Sequence, residues 1–356
     1  MAFKSLALAL AALSFHRVSA FTRLQARDGN DPYPFCNPAT SPDCIVGGKY
    51  VKPDLNISDE PNAGNQAYLT YLPTHTYTLS QWSAGKYPEE CHRTIAGDGF
   101  NPTDFTVHNV TYSDCPSSPW VICVSRLANK TPVQIATEVG RMPAGIRQAT
   151  AAYVVYDENF GGAIGAVGGL IIGKGSYYFP TALVHEHGHA VDGDLLAPND
   201  PFSYSDSAEW RNTVALDGYA ATAYGSTAHA ENFADIGRVV LINNVVPGGL
   251  AGLFPTNPNL TQIANQVARF QSKAGSYYQA GTTCDLSKKY RYPSVTVTVP
   301  TTTAAPTATA SPYGQCGGWP ATYTGVSACG AGYSCTTLNP HYAQCTPAPV
   351  RRSFMA

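Results

Sequence analysis

A stretch of twenty residues from Pro293 to Pro312 carries no charge and no aromatic side chain, and it constrains the fold more than any other feature of the sequence. Thr, Val, Ala, Ser and Pro make up the whole stretch. Such a segment cannot bury enough apolar surface to offset the entropy lost on ordering it. We therefore predict a linker over residues 291–311 that separates two domains. The alternative is one edge strand at Val295–Val299, where Val and Thr alternate.

The N-terminus has the features of a secretion signal. Lys4 precedes an apolar run from Leu6 to Phe15, and the small residues Ser19 and Ala20 follow it. The run is shorter than the roughly 20 apolar residues that a membrane-spanning helix needs. We interpret residues 1–20 as a signal peptide and expect a secreted, extracellular protein with no membrane partner.

Composition agrees with that compartment. The sequence has ten cysteines, an even number that can pair fully in an oxidising environment. Four N-glycosylation sequons begin at Asn56, Asn109, Asn129 and Asn259. The net charge is -2 without a basic cluster, which argues against a nucleic-acid partner.

The C-terminal domain, residues 312–347, precedes a short tail at 348–356 and contains four cysteines. A domain of this size has too little core to fold unaided, so we expect two disulfides. Four cysteines allow three pairings, and their spacing alone selects none of them.

The segments Tyr313–Trp319 (YGQCGGW) and Leu338–Cys345 (LNPHYAQC) resemble the fungal-type cellulose-binding domain, carbohydrate-binding module family 1. The resemblance covers the whole C-terminal domain and implies a small disulfide-rich β fold. It also implies that Cys316 pairs with Cys335 and Cys329 with Cys345, and that the partner is cellulose.

In that family, coplanar aromatic side chains stack on successive glucose rings, and rigid rings bury such apolar surface at low entropy cost. The resemblance assigns this face to Tyr313, His341 and Tyr342, and assigns sugar hydrogen bonds to Asn339 and Gln344. His341 departs from the aromatic residue usual in the family. The alternative is a disulfide-stapled domain whose aromatic residues only fill its core.

The N-terminal domain, residues 21–290, contains the pattern H-E-x-x-H at His185, Glu186 and His189. Residues four apart lie on one face of a helix, so both imidazoles can bind one metal ion. Glu186 is then placed to take a proton from the attacking water. The alternative is a helix with two ordinary histidines, and His187, off the ligand face, is expected to be ordinary.

A catalytic zinc site takes three protein ligands. A third histidine six residues after His189 is absent, because Leu195 occupies that position. Asp192 is expected to cap the helix or to orient an imidazole. We favour Glu231 as the third ligand, with Asp235 one turn later holding a ligand imidazole.

The flanking segments predict an α+β fold. Thr131–Glu138 has an N-cap, a first-turn proline and a helical pattern, and Ala151–Tyr156 has the pattern of a strand. Gly168–Gly173, continuing through Tyr178, is predicted to form an apolar strand just before the H-E-x-x-H helix. Zinc peptidases commonly place an edge strand there to hold the substrate backbone.

His185–Asp192, Tyr224 and Glu231–Asp235 are together similar to the anthrax-lethal-factor-like zinc peptidase domain, which includes the bacterial Pro-Pro endopeptidases. The chain also resembles secreted fungal proteins described as conidiation-specific. The similarity covers about Val154–Asn243. It implies a zincin-like fold, a zinc cofactor and an oxyanion-binding role for Tyr224, seven residues before the glutamate ligand; Tyr219 is the competing candidate.

Six cysteines belong to the N-terminal domain and can form three bridges in fifteen ways. Because Cys284 is far from the others in sequence, we expect one bridge to join the end of this domain to its early half. The six are Cys36, Cys44, Cys91, Cys115, Cys123 and Cys284.

Together these features predict a secreted fungal zinc metalloendopeptidase that binds cellulose and cleaves proteins of plant cell walls, including proline-rich wall glycoproteins. One alternative is a wall-binding protein with an inactive zincin-like domain. The other is a polysaccharide-degrading enzyme, but glycoside hydrolysis normally needs two facing carboxylates, and the sequence nominates no such pair.

Overall fold

The computed structural model of the chain describes residues 45–46, 49–50, 52–55, 57, 61–167, 169–198, 203–282, 284–285, 294–296, 313–317, 329–330, 333–339 and 342–347. Some sequence predictions lie outside these residues: the signal peptide, Cys36, Cys44, Asn56, His341, most of the linker, and the tail.

The chain forms two compact units, Met1–Val297 and Thr298–Ala356. Ser294–Thr296 is a strand of the first unit and pairs antiparallel with Lys86–Pro88. Ser294–Thr296, which lies within the linker predicted at 291–311, therefore forms a strand of the large unit. A strand is found here, as the alternative predicted, but over Ser294–Thr296 rather than Val295–Val299, and Thr296 pairs with Lys86, 210 residues upstream.

The strands of the large unit are β1 Ile45–Val46, β2 Lys49–Tyr50, β3 Tyr77–Gln81, β4 Lys86–Pro88, β5 Phe105–Tyr112, β6 Trp120–Ser125, β7 Ala152–Tyr156, β8 Ile164–Val167, β9 Leu170–Lys174 and β10 Ser294–Thr296. Its α-helices are α1 Pro61–Tyr71, α2 Glu89–Gly97, α3 Pro132–Arg141, α4 Ala144–Arg147, α5 Pro180–Ala190, α6 Ala208–Leu216, α7 His229–Val245, α8 Gly249–Leu253 and α9 Ala264–Ala274. The predicted helix after Thr131 and the strand ending at Tyr156 are both found.

A six-stranded mixed sheet organises the large unit, in the order β3-β5-β6-β7-β9-β8. The strands β6, β7 and β9 run parallel to one another, while β3, β5 and β8 join antiparallel. The architecture is mixed α/β; the zincin-like fold stays a prediction.

Successive side chains of a strand point to opposite faces of the sheet, and in the central strand β7 every residue is buried, so both faces are covered there. In β7, Tyr153 and Val155 join the larger core with α3, α5 and α7, whereas Val154 and Tyr156 join the smaller core with α2. The larger core therefore lies between the sheet and the helices that carry the H-E-x-x-H pattern and Glu231.

The strand predicted at Gly168–Gly173 is found as β9, but it is not the edge of the sheet. It lies between β7 and β8, and β8 is the edge strand. Gly169 adopts a φ of 79°, which allows the chain to reverse between β8 and β9. The segment after β9 forms a single 3₁₀ turn at Gly175–Tyr177 and does not continue the strand to Tyr178.

Helix α5 begins at Pro180, whose fixed φ suits the first helical position. No side chain of Phe179 caps this end. Instead, Asn65 of α1 accepts hydrogen bonds from the Thr181 amide and hydroxyl, both at 2.9 Å. The chain continues from the end of α5 at Ala190 into a π-helical turn at Val191–Leu195.

Two disulfides belong to the described part of the large unit. Cys91–Cys123 joins α2 to the central strand β6, and Cys115–Cys284 connects residues 169 positions apart. The second bridge confirms the expectation that the end of this domain is joined to its early half.

The small unit contains a three-stranded antiparallel sheet, in the order β11 Gln315–Gly317, β13 Tyr342–Pro347, β12 Tyr333–Asn339. Two disulfides join it, Cys316–Cys335 and Cys329–Cys345. These are the pairs that the resemblance to the cellulose-binding domain implies. Within the part of the chain that the structure describes, no helix has the length and apolar character needed to cross a bilayer.

Replacing both Cys115 and Cys284 by alanine should lower the free energy of unfolding by about 2–5 kcal/mol, near the upper end, because the bridge closes a loop of 169 residues and long loops lose the most entropy. Urea denaturation of the wild type and the double variant, both without reductant, measures the difference. An unchanged unfolding midpoint in the double variant would contradict the role of this bridge.

Candidate metal centre

The candidate site lies where helices α5 and α7 cross. Gly188 of α5 faces Ala234 of α7, and a Cβ added at Gly188 would lie 2.8 Å from the Ala234 Cα and 3.0 Å from its Cβ. Such distances are too short for a side chain. Glycine at this position therefore lets the two helix backbones approach closely enough for Glu231 to face His185 and His189.

Three ligand-type atoms meet at this crossing. The Glu231 Oε2 atom lies 3.0 Å from His185 Nε2 and 3.1 Å from His189 Nε2. The two Nε2 atoms are 3.2 Å apart. Both histidines are buried and Glu231 is half-buried. The structure thus brings together all three predicted ligands, from two helices and 46 residues apart.

These three atoms fit a zinc ion. Ligands at bond lengths of roughly 2.0–2.1 Å in a tetrahedral site are about 3.3–3.4 Å apart, and the observed separations of 3.0–3.2 Å are close to that. Two imidazole nitrogens and one carboxylate oxygen are also a donor set that zinc accepts in catalytic sites.

Asp235 fixes the orientation of His185. The Asp235 Oδ1 atom accepts a hydrogen bond from His185 Nδ1 at 2.8 Å and another from Arg238 Nη1 at 3.0 Å, and Oδ2 accepts one from the Thr222 hydroxyl. A neutral His185 that donates from Nδ1 has its lone pair on Nε2, directed at Glu231 and His189. The predicted role of Asp235 matches this arrangement.

The electrostatics of the site favour a positive charge at its centre. Burial favours the neutral form of His185, but Asp235 and Glu231 override it and raise its pKa to about 10. Burial also opposes ionisation of Glu231, and the two imidazoles outweigh it, so the pKa of Glu231 falls well below its ordinary value. A proton or a metal ion can supply the positive charge that these groups demand.

Glu186 and Tyr224 complete the site. Glu186 is buried, and its charge raises the pKa of both His185 and the Tyr224 phenol. The Tyr224 ring lies 5.5 Å from the His185 ring, and the residue is 57% exposed. Partial burial and nearby carboxylates raise the Tyr224 pKa, so the phenol keeps its proton at neutral pH.

The competing tyrosine, Tyr219, packs against the large core, and its carbonyl accepts a hydrogen bond from the Gln266 amide. Of the two candidates, Tyr224 is the one whose ring contacts a ligand histidine.

Asp192 and Leu195 are both buried in the π-helical turn. Asp192 accepts hydrogen bonds from the Ser205 amide at 2.7 Å and the Ser205 hydroxyl at 2.6 Å. Through these two bonds Asp192 anchors the turn at Tyr204–Asp206, and its expected role of capping the helix or orienting an imidazole stays a prediction. Leu195 belongs to the large core.

His187 points away from the three ligands. Its Nδ1 contacts the Leu183 carbonyl at 2.6 Å and its Nε2 contacts the Tyr153 hydroxyl at 3.1 Å. Burial lowers its pKa to about 4, so it is neutral at physiological pH. This agrees with its prediction as an ordinary core histidine.

Sequence reasoning missed four residues of the site: Asn65, Gly188, Thr222 and Arg238. Of these, Gly188 carried a signal, since a glycine inside a helix costs about 1 kcal/mol relative to alanine and so marks a close approach. The hydrogen bonds of Asn65 and Thr222 cross between distant segments, and no local pattern indicates them.

Part of the predicted cellulose face is described in the small unit. Tyr313 is 58% exposed and its ring lies edge-on to Tyr333 at 5.9 Å. Gln344 donates from Nε2 to the Tyr313 carbonyl at 2.7 Å, so its amide also fixes the backbone beside the exposed ring. Asn339 of β12 and Tyr342 of β13 are partners in the backbone register of the two strands.

Comparison with known proteins identifies relatives of the chain. Residues 53–343 match the family model described as Conidiation-specific protein Con-13. Conidiation-specific protein 13 of Neurospora crassa is 28% identical over 256 residues, which cover 69% of this chain and 69% of the relative. The resemblance to conidiation-specific fungal proteins is thereby confirmed. No solved structure matches the chain.

Substituting Gly188→Ala should weaken zinc binding by about tenfold or more and lower the free energy of unfolding by about 1–3 kcal/mol, because the added methyl group forces α5 and α7 apart. Competition against a chromophoric chelator measures the affinity, and thermal denaturation measures the stability.

Gly97→Ala is the matched control, since a Cβ at this helical glycine meets nothing within 4 Å. We expect it to leave the zinc affinity unchanged. Wild-type affinity in Gly188→Ala would contradict the close crossing as the basis of the site.

Proposed function

Because the chain belongs to the Con-13 family, whose name states no reaction, we propose its function from the site itself. We propose that the protein is a secreted zinc-dependent endopeptidase that is held on cellulose and cleaves proteins of plant cell-wall material. The observation that carries this proposal is the convergence of His185, His189 and Glu231 within 3.0–3.2 Å, with Glu186 and Tyr224 beside them.

A zinc ion held by His185, His189 and Glu231 would polarise the peptide carbonyl as a Lewis acid. Glu186 acts as the general base: its carboxylate takes a proton from the attacking water and then passes it to the leaving amine. Glu186 is buried, and it lies on α5, the helix that also carries both histidines.

Tyr224 supplies the second proton-bearing group. Its phenol remains protonated because its pKa is raised, and its exposed position allows the hydroxyl to reach a bound substrate. We propose that it donates a hydrogen bond to the carbonyl oxygen as negative charge develops there.

The edge strand β8 suits an extended peptide. It pairs with β9 on one side and packs beside α5, and within the described residues no strand pairs with its other side. An extended substrate can add to that edge by backbone hydrogen bonds. This replaces β9, which the sequence predicted as the substrate strand.

The small unit supports the cellulose part of the proposal. Its two disulfides stabilise a small sheet beside which the Tyr313 ring is exposed, and an exposed rigid ring can stack on a sugar. Disulfides in both units agree with export to an oxidising compartment.

Glu186→Gln should lower peptide cleavage by about 10²–10⁴-fold while zinc stays bound, because the change removes the base but no ligand. The assay uses a peptide library that includes proline-rich sequences, and zinc content is measured by mass spectrometry of metals. Chelation should abolish cleavage in the wild type, and added zinc should restore it.

Glu209→Gln is the matched control, because Glu209 pairs with Arg269 and Lys273 on an exposed face of α6 and α9. It should keep full activity. A wild type that binds zinc but cleaves nothing in the library would favour the alternative of an inactive wall-binding protein.

Tyr313→Ala and Tyr342→Ala in the full chain should each reduce retention on microcrystalline cellulose by about fivefold or more, since each removes a stacking ring. Tyr71→Ala, which removes an exposed tyrosine of the large unit, should not. Equal retention of all three variants would contradict cellulose binding by this face.

A further inference from the structure

We infer that Thr222 is a positioning residue that ties the loop carrying Tyr224 to Asp235, and through Asp235 to the ligand His185. The inference rests on the proposed function, and it assigns a role to a residue outside the ligand and base set. It rests on the two hydrogen bonds of the Thr222 hydroxyl, one to the Asp235 carboxylate and one to the Gly225 amide.

The Thr222 hydroxyl stands between the two parts of the site. It donates to Asp235 Oδ2, while Asp235 Oδ1 accepts from His185 Nδ1 at 2.8 Å. The same Thr222 Oγ1 atom accepts the Gly225 amide at 2.7 Å. A continuous chain of hydrogen bonds therefore runs from the imidazole of His185 to the backbone beside Tyr224.

Only a hydroxyl can serve both partners at this point. An ionised carboxylate can only accept and a backbone amide can only donate, so the group between them must do both. Asp235 already accepts hydrogen bonds from His185 Nδ1 and Arg238 Nη1, so it presents an acceptor oxygen to the Thr222 hydroxyl. Thr222 and Asp235 are both buried, so water is excluded from replacing the hydroxyl.

Thr222 makes two hydrogen bonds to the loop that carries Tyr224, one through its carbonyl and one through its hydroxyl. The Ser226 amide donates to the Thr222 carbonyl at 3.0 Å, in addition to the Gly225 amide bond to the Thr222 hydroxyl. A Cβ added at Gly225 would lie 3.0 Å from Asp235 Oδ2 and 3.1 Å from Thr222 Oγ1, so glycine permits this close packing. Tyr224 thus projects from a short loop whose base is fixed at Asp235.

The first experiment measures the loop without any metal or activity. Hydrogen exchange of the full chain, followed by mass spectrometry of peptides covering 223–227, should show about five- to tenfold faster exchange at the Gly225 amide in Thr222→Val and Thr222→Ala than in the wild type. Thr222→Ser keeps the hydroxyl and should exchange like the wild type.

The second experiment measures zinc affinity by competition with a chelator. Thr222→Val and Thr222→Ala should weaken zinc binding about tenfold, because Asp235 loses a hydrogen bond that orients it toward His185. Thr222→Ser should restore the affinity. The matched control is Thr213→Val, which removes a buried hydroxyl bonded to the Glu209 carbonyl on α6 and should leave both readouts unchanged.

A double-mutant cycle with Tyr224→Phe separates the effect of Thr222 on Tyr224 from its effect on zinc binding. If Thr222 positions Tyr224, Thr222→Val should lower kcat in the wild type but much less in the Tyr224→Phe background, whereas its effect on zinc affinity should persist in both.

Wild-type exchange and wild-type zinc affinity in both Thr222→Val and Thr222→Ala would overturn the inference. Failure of the proposed function has a different signature. A wild type that binds no zinc or cleaves no peptide would overturn the peptidase, while the exchange comparison, which needs neither, still decides for or against Thr222.

Discussion

The close crossing of α5 and α7 is the constraint on which the site depends. Glu231 reaches the two imidazoles only because the backbone of α7 passes within van der Waals distance of Gly188. The same crossing brings Asp235, one turn further along α7, against His185 Nδ1. Two carboxylates spaced four residues apart on one helix therefore meet two histidines spaced four apart on the other, and one face of each helix supplies the three ligand side chains and Asp235.

Burying this many ionisable groups lowers the stability of the fold. Burying Glu231, Asp235 and two histidines removes charge from water, and the penalty is offset only if opposite charges meet them. Arg238 offsets part of the charge of Asp235. Asp235 and Glu231 raise the pKa of His185 against the effect of burial, and the two imidazoles lower the pKa of Glu231 against the same effect. Natural proteins retain such clusters mainly at functional sites.

The sequence predicted the parts of the site that depend on local spacing. His185, Glu186 and His189 follow from helical periodicity, and Asp235 follows from the same spacing once Glu231 is chosen as the third ligand. What sequence could not show are contacts between segments that lie far apart, such as Asn65 capping α5 from 116 residues away. The edge strand was predicted at the wrong place for a related reason. A glycine-rich segment shows no hydrophobic periodicity, so the sequence did not indicate the hairpin in which β8 lies outside β9.

The hydrogen-bond chain around Asp235 explains how one centre can bind a metal and still be pH-sensitive. Asp235 orients His185 for a metal, but it also raises the proton affinity of the same imidazole. A metal ion bound there would compete with a proton for the Nε2 lone pair, so lowering the pH would weaken metal binding at this centre. Arg238 and Thr222 moderate this competition, because each draws part of the charge of Asp235 away from His185. The residues around the ligands thus set the balance between the two cations, while the ligands themselves supply only the lone pairs.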